Sequence, residues 1–238
     1  MQVHSVFVVL AVLWFGFVVY KKGGEFHWLE NTLFDISIVS AASAFLVSRL
    51  IFVLENLQTF SSNWLRIIML VDYPGYSFWG LVLGLIGGAV LFSKKGEVKL
   101  YEALDVMVLA FFGAVPIERV GVVLHGGDLN HFLLVPIAIW QGLICLVAFV
   151  FLWHLEYEYR TFDWYRNKRT QAKAGFISGL GLVLMPTWLG LSMIGGKFDL
   201  PMIISLVVTI MCGILVIYSR SGRRLFNPIK LLKRGSMV

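Results

Sequence analysis

Charged residues are scarce in this chain, and cysteine and proline are scarcer still. Asp, Glu, Lys and Arg together make up 14% of the 238 residues, about half of their share in an ordinary soluble domain. Hydrophobic residues make up 58%, and the mean hydropathy is +0.81. So little charge on so apolar a chain excludes an ordinary soluble domain and predicts an integral membrane protein.

Cysteines and ligand motifs are also few. Cys145 and Cys212 are the two cysteines, and both lie in the middle of apolar stretches, where we expect small hydrophobes rather than a disulfide. The sequence lacks the Cys-x-x-Cys, His-Glu-x-x-His and phosphate-loop patterns. We therefore expect no metal and no cofactor.

Seven apolar stretches follow one another along the chain, and each is about long enough for a helix to cross a hydrocarbon core of roughly 30 Å. They cover Val3–Tyr20, Thr32–Leu54, Gly75–Phe92, Leu100–Leu124, Phe132–His154, Gly175–Ile194 and Leu200–Ser219. The first has no basic leader and no small-residue cleavage site, so we expect it to be retained. The prediction is an all-α integral membrane protein with one seven-helix transmembrane domain over residues 1–219 and a basic cytoplasmic tail over residues 220–238.

The basic residues fix the predicted orientation. Two follow the first stretch, three follow the third, five follow the fifth and six follow the seventh, which places them all on one side of the membrane. Only Arg66 and Lys197 fall in loops on the other side. Since positive residues favour the cytoplasmic face, the amino terminus is predicted outside and the carboxyl terminus inside. Basic residues beside helix ends suit anionic lipid head groups, so we expect no nucleic-acid partner.

Small residues repeat within the third stretch, where Gly80 and Gly84 are four residues apart. This spacing is typical of closely packed transmembrane helices.

Ionisable side chains inside the spans are candidates for a structural or functional role, because inserting each one into the membrane costs about 2.5–3.5 kcal/mol of free energy. Near the predicted inner ends lie Asp35 and Asp105, which we expect to reach the head-group layer or neighbouring lysines. Near the predicted outer ends lie Arg49 in the second stretch and Glu118 and Arg119 in the fourth.

The outer group permits two interpretations. Two guanidinium groups suit a phosphate, which arginine binds through two parallel hydrogen bonds, and the loop residue His125 suits a proton carrier near neutral pH. Alternatively, Arg49 and Arg119 pair with Glu55, Glu118 or Asp72 and only hold helices together. The sequence leaves both interpretations open.

Taken in order, several short motifs resemble those of the prolipoprotein diacylglyceryl transferases. Ser48-Arg49-Leu-Ile-Phe is similar to the family's Gly-Arg segment in its second span. Asp72-Tyr-Pro-Gly-Tyr-Ser-Phe-Trp79-Gly80 is similar to its Trp-Asp-Gly-Gly-Met-Ser-Phe-His-Gly-Gly, with one residue inserted. The resemblance covers nearly the whole chain.

Further along the chain, Asp105 matches an aspartate early in the family's fourth span. The family's main motif, Gly-Arg-x-Gly-Asn-Phe-x-Asn-x-Glu, is similar to the segment Glu118–Gly127, which keeps Arg119 and Gly121. Asp128 lies one residue beyond the position of the motif's glutamate. Gly175-Phe-Ile-Ser-Gly-Leu is similar to the family's Gly-x-x-Ser-Gly-Leu.

The chain also departs from the family's pattern. His4-Ser-Val-Phe stands where the family has His-Trp-Tyr-Gly, and Trp79 replaces the histidine of Ser-Phe-His-Gly. Val122 and His125 replace the two asparagines of the main motif, and Leu189 stands near the position of an expected arginine.

The resemblance implies a multi-pass protein of the bacterial plasma membrane that transfers diacylglyceryl from phosphatidylglycerol to a lipoprotein-precursor cysteine. By the same resemblance, Arg49 and Arg119 would bind the phosphate, and Asp72, Trp79, Gly80 and Gly121 would be supporting positions. His125 is the best candidate for the base that generates the thiolate, ahead of Asp128 and Glu118.

Two other functions remain possible at this point. The departures favour an inactive relative that binds phospholipid or assists assembly. A small transporter is the lesser alternative, because the middle of each predicted span lacks acidic and basic residues.

Overall fold

The structure, a computed structural model, describes residues 2–61, 64–67, 75–126, 131–132, 135–160, 174–192 and 200–220. This part of the chain is almost entirely helical, as predicted. The seven long helices are α1 (Gln2–Glu25), α2 (Glu30–Glu55), α3 (Phe78–Lys94), α4 (Leu100–Leu124), α5 (Ile137–Arg160), α6 (Phe176–Ser192) and α7 (Leu200–Arg220).

The predicted start of the fifth span is wrong, because α5 begins at Ile137 rather than at Phe132. Phe132 belongs to a two-residue strand, β1 (His131–Phe132), which pairs antiparallel with β2 (Val135–Pro136). The indole N–H of Trp140 donates to the carbonyl oxygen of Phe132 over 3.1 Å and fastens this hairpin to α5. The apolar pattern alone does not distinguish such a hairpin from the first turn of a helix.

Between α2 and α3 the chain forms one helical turn, Leu57–Phe60, and a 3₁₀ turn, Trp64–Ile67. Residues 62–63 and 68–74 lie outside the described part.

Five of the helices, namely α1, α2, α4, α5 and α7, are long and apolar enough to cross a membrane. The other two, α3 and α6, are equally apolar but shorter, with 17 residues each. Large hydrophobic side chains are exposed along these helices, among them Leu13, Leu46, Val147 and Leu215. A surface of this kind suits hydrocarbon rather than water, so the protein is a multi-pass membrane protein.

Consecutive helices run in opposite directions: the end of α1 meets the start of α2 through Tyr20 and Phe34, and the start of α3 meets the end of α2 through Gly80 and Ser48. Contacts between helix ends also show which ends lie together. His4 at the start of α1 contacts Glu118 near the end of α4, and Phe78 at the start of α3 contacts Trp188 near the end of α6. We call this end of the bundle, which holds Arg49 and Arg119, the arginine end. The opposite end, where α1 and α3 finish, is the lysine end.

Among the five helices that are long enough to span a membrane, α4 is the most buried, and it packs against α1, α3, α5 and α6. Its interior positions supply much of the hydrophobic core, namely Ala103, Val106, Met107, Leu109, Ala110, Phe111 and Phe112. By contrast, α7 packs mainly on α6. The central position of α4 explains why the functional candidates at its end have neighbours on several other helices.

Small residues bring α2 and α3 into backbone contact, as the glycine spacing predicts. A Cβ on Gly84 would lie 2.5 Å from the carbonyl oxygen of Ser43 and closer still to Cα of Ala44. Gly80 lies in the same way against Ser48. The hydroxyl of Ser43 donates to the carbonyl oxygen of Gly84 over 2.8 Å, so polar contacts add to the close approach.

A buried ion pair joins α1 to α5 at the lysine end. The ammonium of Lys22 lies 2.5 Å from a carboxylate oxygen of Glu156, and both residues are 2% exposed. A second carboxylate, that of Glu25, lies 3.1 Å from the same ammonium, which also sits 4.1 Å from the centre of the Trp153 ring. Lys22 is therefore a structural cation inside the bundle.

Asp105 is buried and caps α6, contrary to the expectation that it reaches the head-group layer or a lysine. Its carboxylate oxygens accept the backbone N–H groups of Gly175 and Ser178, each over 2.7 Å. These N–H groups stand at the start of α6, where helical backbone donors lack partners and the helix dipole favours an anion. Because the apolar pattern carries no information on tertiary caps, sequence analysis missed this contact.

We expect Gly84→Ala to destabilise the protein by about 1–3 kcal/mol, the usual cost of overpacking, because its new Cβ meets backbone atoms of α2. The matched control is Gly87→Ala on the same helix, since a Cβ there meets nothing within 4 Å. Thermal unfolding in detergent should show a lower midpoint for Gly84→Ala than for Gly87→Ala. Equal midpoints would contradict the close packing of α2 and α3.

Removing one partner of the Lys22–Glu156 pair leaves a buried charge, which typically costs about 3–5 kcal/mol. Lys22→Met and Glu156→Met should each lower the unfolding midpoint, whereas the double variant should recover most of the loss. The reason is that an apolar pair avoids the desolvation of both ions. Additive losses in the double variant would show that the two side chains are not coupled.

Candidate functional site

Arg49 is buried near the end of α2 and binds backbone carbonyls. It is 5% exposed. Its Nε and Nη1 donate to the carbonyl oxygens of Ile67 and Gly75, over 3.1 and 3.0 Å. The guanidinium carbon lies 5.3 Å and 5.6 Å from the ring centres of Phe60 and Phe52. These contacts fasten the connection between α2 and α3 to the bundle, so Arg49 has a structural role whether or not it also meets a ligand.

Serine hydroxyls strengthen the same connection. The Ser77 hydroxyl donates to a carboxylate oxygen of Glu55 over 2.9 Å, and the Ser48 hydroxyl donates to the carbonyl oxygen of Ser77 over 2.7 Å. The first turn of α3 is thus held firmly against the end of α2.

Arg119 and Glu118 form an ion pair near the end of α4. Nε of Arg119 lies 3.0 Å from Oε2 of Glu118, and the two side chains are 25% and 28% exposed. The Nε atom itself is buried, and its N–H has no hydrogen-bond acceptor in the described part of the chain. The short distance therefore reflects attraction between charges without an aligned hydrogen bond. Unlike Arg49, Arg119 remains partly accessible.

The guanidinium of Arg119 stacks on Trp188 of α6, with its carbon 5.2 Å from the ring centre. Trp188 is 7% exposed. Its indole N–H is buried, and among the residues that the structure describes it finds no acceptor. Buried donors usually have a hydrogen-bond acceptor. Here two buried donors, the N–H groups of Arg119 and Trp188, belong to side chains that stack on each other. Both N–H groups are donors that the described residues leave without an acceptor.

The start of α3 connects the surroundings of the two arginines. The Phe78 ring lies 4.8 Å from that of Trp188, while Gly75, three residues earlier, accepts from Arg49. The two arginines are therefore linked indirectly, because Arg49 holds the segment whose next residues pack beside Trp188, the residue on which Arg119 stacks.

A histidine from α1 completes the cluster. Nε2 of His4 lies 3.4 Å from Oε1 of Glu118, so the Glu118 carboxylate lies between His4 and Arg119. The His4 ring is also 6.5 Å from the ring of His125, centre to centre, with an angle of 38° between the planes. His125 is exposed and follows the last residue of α4. We call His4, Glu118, Arg119, His125 and Trp188 the His–Glu–Arg cluster.

The predicted supporting residues contribute packing. Gly80 lets α3 approach α2, as described above. A Cβ on Gly121 would lie 2.5 Å from Cβ of Phe7, so this glycine lets the start of α1 approach α4 beside the cluster. Trp79 is half-buried, and its ring packs at an angle on Phe78, 5.4 Å away. The remaining candidates, Asp72 and Asp128, lie outside the described residues.

His4 and Trp188 are members of the cluster that sequence reasoning did not select as site residues. The signal for His4 was present, since it is an ionisable side chain near the outer end of a predicted span. Trp188 carried no such signal, because a tryptophan in an apolar stretch is ordinary. Its significance depends on an unpartnered N–H that only packing reveals.

Nothing in the described part of the chain suggests a metal centre, since no three His, Cys, Asp or Glu side chains group there as metal ligands do. The cysteines Cys145 and Cys212 are both free, as predicted.

No protein-family model matches the chain, and no curated protein matches it at a significant level. The resemblance to the prolipoprotein diacylglyceryl transferases therefore depends on the short motifs alone. Two of those motifs meet in space, because Asp105 binds the backbone of Gly175 and Ser178. Asp105 and the Gly175–Ser178 segment therefore have a structural role, because together they cap the start of α6.

Proposed function

We propose that the protein crosses the bacterial plasma membrane seven times, with its amino terminus outside and its carboxyl terminus inside. Five helices are long enough to span. The two of 17 residues, α3 and α6, would each extend about 25 Å at 1.5 Å per residue, near the lower limit for a span. The alternating helix directions support this arrangement, and the basic side chains Lys21, Lys22, Lys94, Lys95 and Lys99 all lie at the lysine end.

The arginine end would then face outward and bind the head group of phosphatidylglycerol. The observation that carries this proposal is the stacked pair Arg119 and Trp188, each with a buried N–H that has no acceptor in the described chain. A phosphate offers several acceptor oxygens and a negative charge, and guanidinium binds it in charge-assisted hydrogen bonds. The partly exposed side chain of Arg119 permits access from the membrane surface.

Within this site, we assign phosphate binding to Arg119 alone, whereas the sequence motifs assign it to Arg49 and Arg119 together. Arg49 already donates to two carbonyl groups and is almost fully buried. It would position the start of α3 beside Trp188 and add long-range positive charge, which a low-dielectric surrounding screens weakly. The phosphate itself would be bound through Arg119.

We further propose the reaction that the resemblance implies, transfer of diacylglyceryl to the cysteine of a lipoprotein precursor. The cysteine sulfur attacks the glyceryl carbon that carries the phosphate ester, forming a C–S bond. The C–O bond breaks, and glycerol phosphate leaves with the bonding electron pair. The chemistry needs a cation on the phosphate and a base for the thiol, and the His–Glu–Arg cluster contains both types of group.

The second candidate is a relative that binds phosphatidylglycerol without catalysis. One observation favours it: Trp79 replaces a family histidine, and its ring packs against Phe78 rather than adding a titratable group. This alternative uses the same phosphate site and differs only in the absence of group transfer.

Replacing Arg119 by Ala should weaken phosphatidylglycerol binding at least tenfold, which is about 1.4 kcal/mol, because the charged donor is lost. Trp188→Phe keeps the stacked ring but removes its N–H, so we expect a smaller loss of several-fold. Native mass spectrometry of protein from nanodiscs with a rising fraction of phosphatidylglycerol measures both effects. Arg220→Ala is the matched control, since it removes an arginine at the lysine end. Equal losses in Arg119→Ala and Arg220→Ala would refute a specific site.

Transfer is tested with wild-type protein, phosphatidylglycerol and a peptide containing a lipobox cysteine. We expect the peptide to gain the mass of one diacylglyceryl group and glycerol phosphate to appear in equal amount. Arg119→Ala should slow both by at least tenfold. Bound lipid without any mass gain would reject the transferase and leave the binding protein as the function.

A further inference from the structure

We propose that His4, and not His125, is the general base of the His–Glu–Arg cluster, and that it takes the proton of the acceptor thiol at Nδ1. The inference rests on the proposed transferase function and assigns a catalytic residue within it. Its basis is the contact between Nε2 of His4 and Oε1 of Glu118, 3.4 Å apart.

Glu118 determines which nitrogen of His4 can act. A carboxylate accepts hydrogen bonds and donates none, so Nε2 carries the hydrogen when it faces Glu118. In the neutral ring, Nδ1 then has the free electron pair and is the proton acceptor. A carboxylate that orients an imidazole and stabilises the imidazolium formed later is the arrangement found in hydrolase triads.

Arg119 fixes the other side of the same carboxylate. Oε2 of Glu118 lies 3.0 Å from Nε of Arg119, while Oε1 faces His4. One carboxylate thus connects the proposed base to the proposed phosphate-binding cation. A nucleophile beside His4 would consequently lie close to the head group that Arg119 binds, which is the proximity that transfer requires.

The position of His4 suits a base that meets a second substrate. Its side chain is 37% exposed and stands in the first turns of α1, at the arginine end. Phe7, about one turn further along α1, packs against Gly121 of α4, so the helix that carries His4 is held against the helix that carries Glu118. The ring therefore combines access with a fixed neighbour.

His125 is the other histidine of the cluster and lies beside His4. The two rings are 6.5 Å apart, and His125 follows α4 at the exposed end of the helix. The assignment of the base depends on the carboxylate contact, which His4 makes through Oε1 of Glu118.

The proton and electron balance of the step is complete without another reactant. The thiol proton moves to Nδ1 of His4, the thiolate forms a C–S bond to the glyceryl carbon, and the C–O bond to phosphate breaks. The phosphate oxygen keeps the electron pair as glycerol phosphate leaves. The imidazolium formed on His4 lies against Glu118, and its proton returns to solvent or to the leaving group.

The test uses the full chain in phosphatidylglycerol nanodiscs with the lipobox peptide and compares His4→Ala with His125→Gln. We expect His4→Ala to reduce the transfer rate at least 100-fold while phosphatidylglycerol binding stays within twofold of wild type. Added imidazole should restore the His4→Ala rate at least tenfold, because it replaces the missing base. A residue with a purely structural role would show no such rescue.

His125→Gln should lower the rate less than His4→Ala and gain nothing from imidazole. A rate of His4→Ala equal to wild type, or rescue confined to His125→Gln, would overturn the assignment while leaving the transferase intact. Wild-type protein that binds the lipid but transfers nothing would reject both the transferase and its base, with the phosphate site surviving. Loss of lipid binding in His4→Ala would show a structural role.

Discussion

The cost of placing charge among apolar side chains governs this structure. Each buried ionisable group in the described chain has a neighbour that offsets part of that cost: Lys22 faces Glu156, Asp105 caps α6, and Arg49 donates to two carbonyl oxygens. These contacts also connect helices that are distant in sequence, so the charges determine how apolar helices of similar character are arranged. Dispersion and small-residue packing then bring the backbones together.

The His–Glu–Arg cluster differs from the other charged contacts because it is incomplete within the described chain. The side chains of His4, Glu118 and Arg119 are partly exposed, and the buried N–H groups on Arg119 and Trp188 have no acceptor in the described chain. By contrast, the charged groups of Arg49 and Lys22 have oxygen partners within the protein, namely carbonyl oxygens for Arg49 and a carboxylate oxygen for Lys22. A ligand with several acceptor oxygens would give the cluster what the other sites obtain from the protein, and this contrast is the physical basis of the proposed phospholipid site.

Sequence reasoning predicted the helical class and most helix positions, because long apolar runs have few alternatives in a membrane protein. It placed the boundaries of α4 at Leu100 and Leu124, as the structure does. It failed at the start of α5, where the apolar pattern conceals a hairpin, and at Asp105, whose partners come from α6. Of the site, Arg119 and Glu118 were selected because charge within a span is costly, and His125 was selected as a loop histidine that can carry a proton. Trp188 depends on packing that no local pattern encodes. Seven spans, orientation and the family relation stay predictions.

The most direct test of the account is the NMR signal of the Trp188 indole N–H, assigned by comparison with Trp188→Phe. Short-chain phosphatidylglycerol should shift this signal downfield as the N–H gains an acceptor, and diacylglycerol, which has the same chains but no phosphate, should not. An equal shift with both lipids, or none with either, would contradict a phosphate site at Arg119 and Trp188.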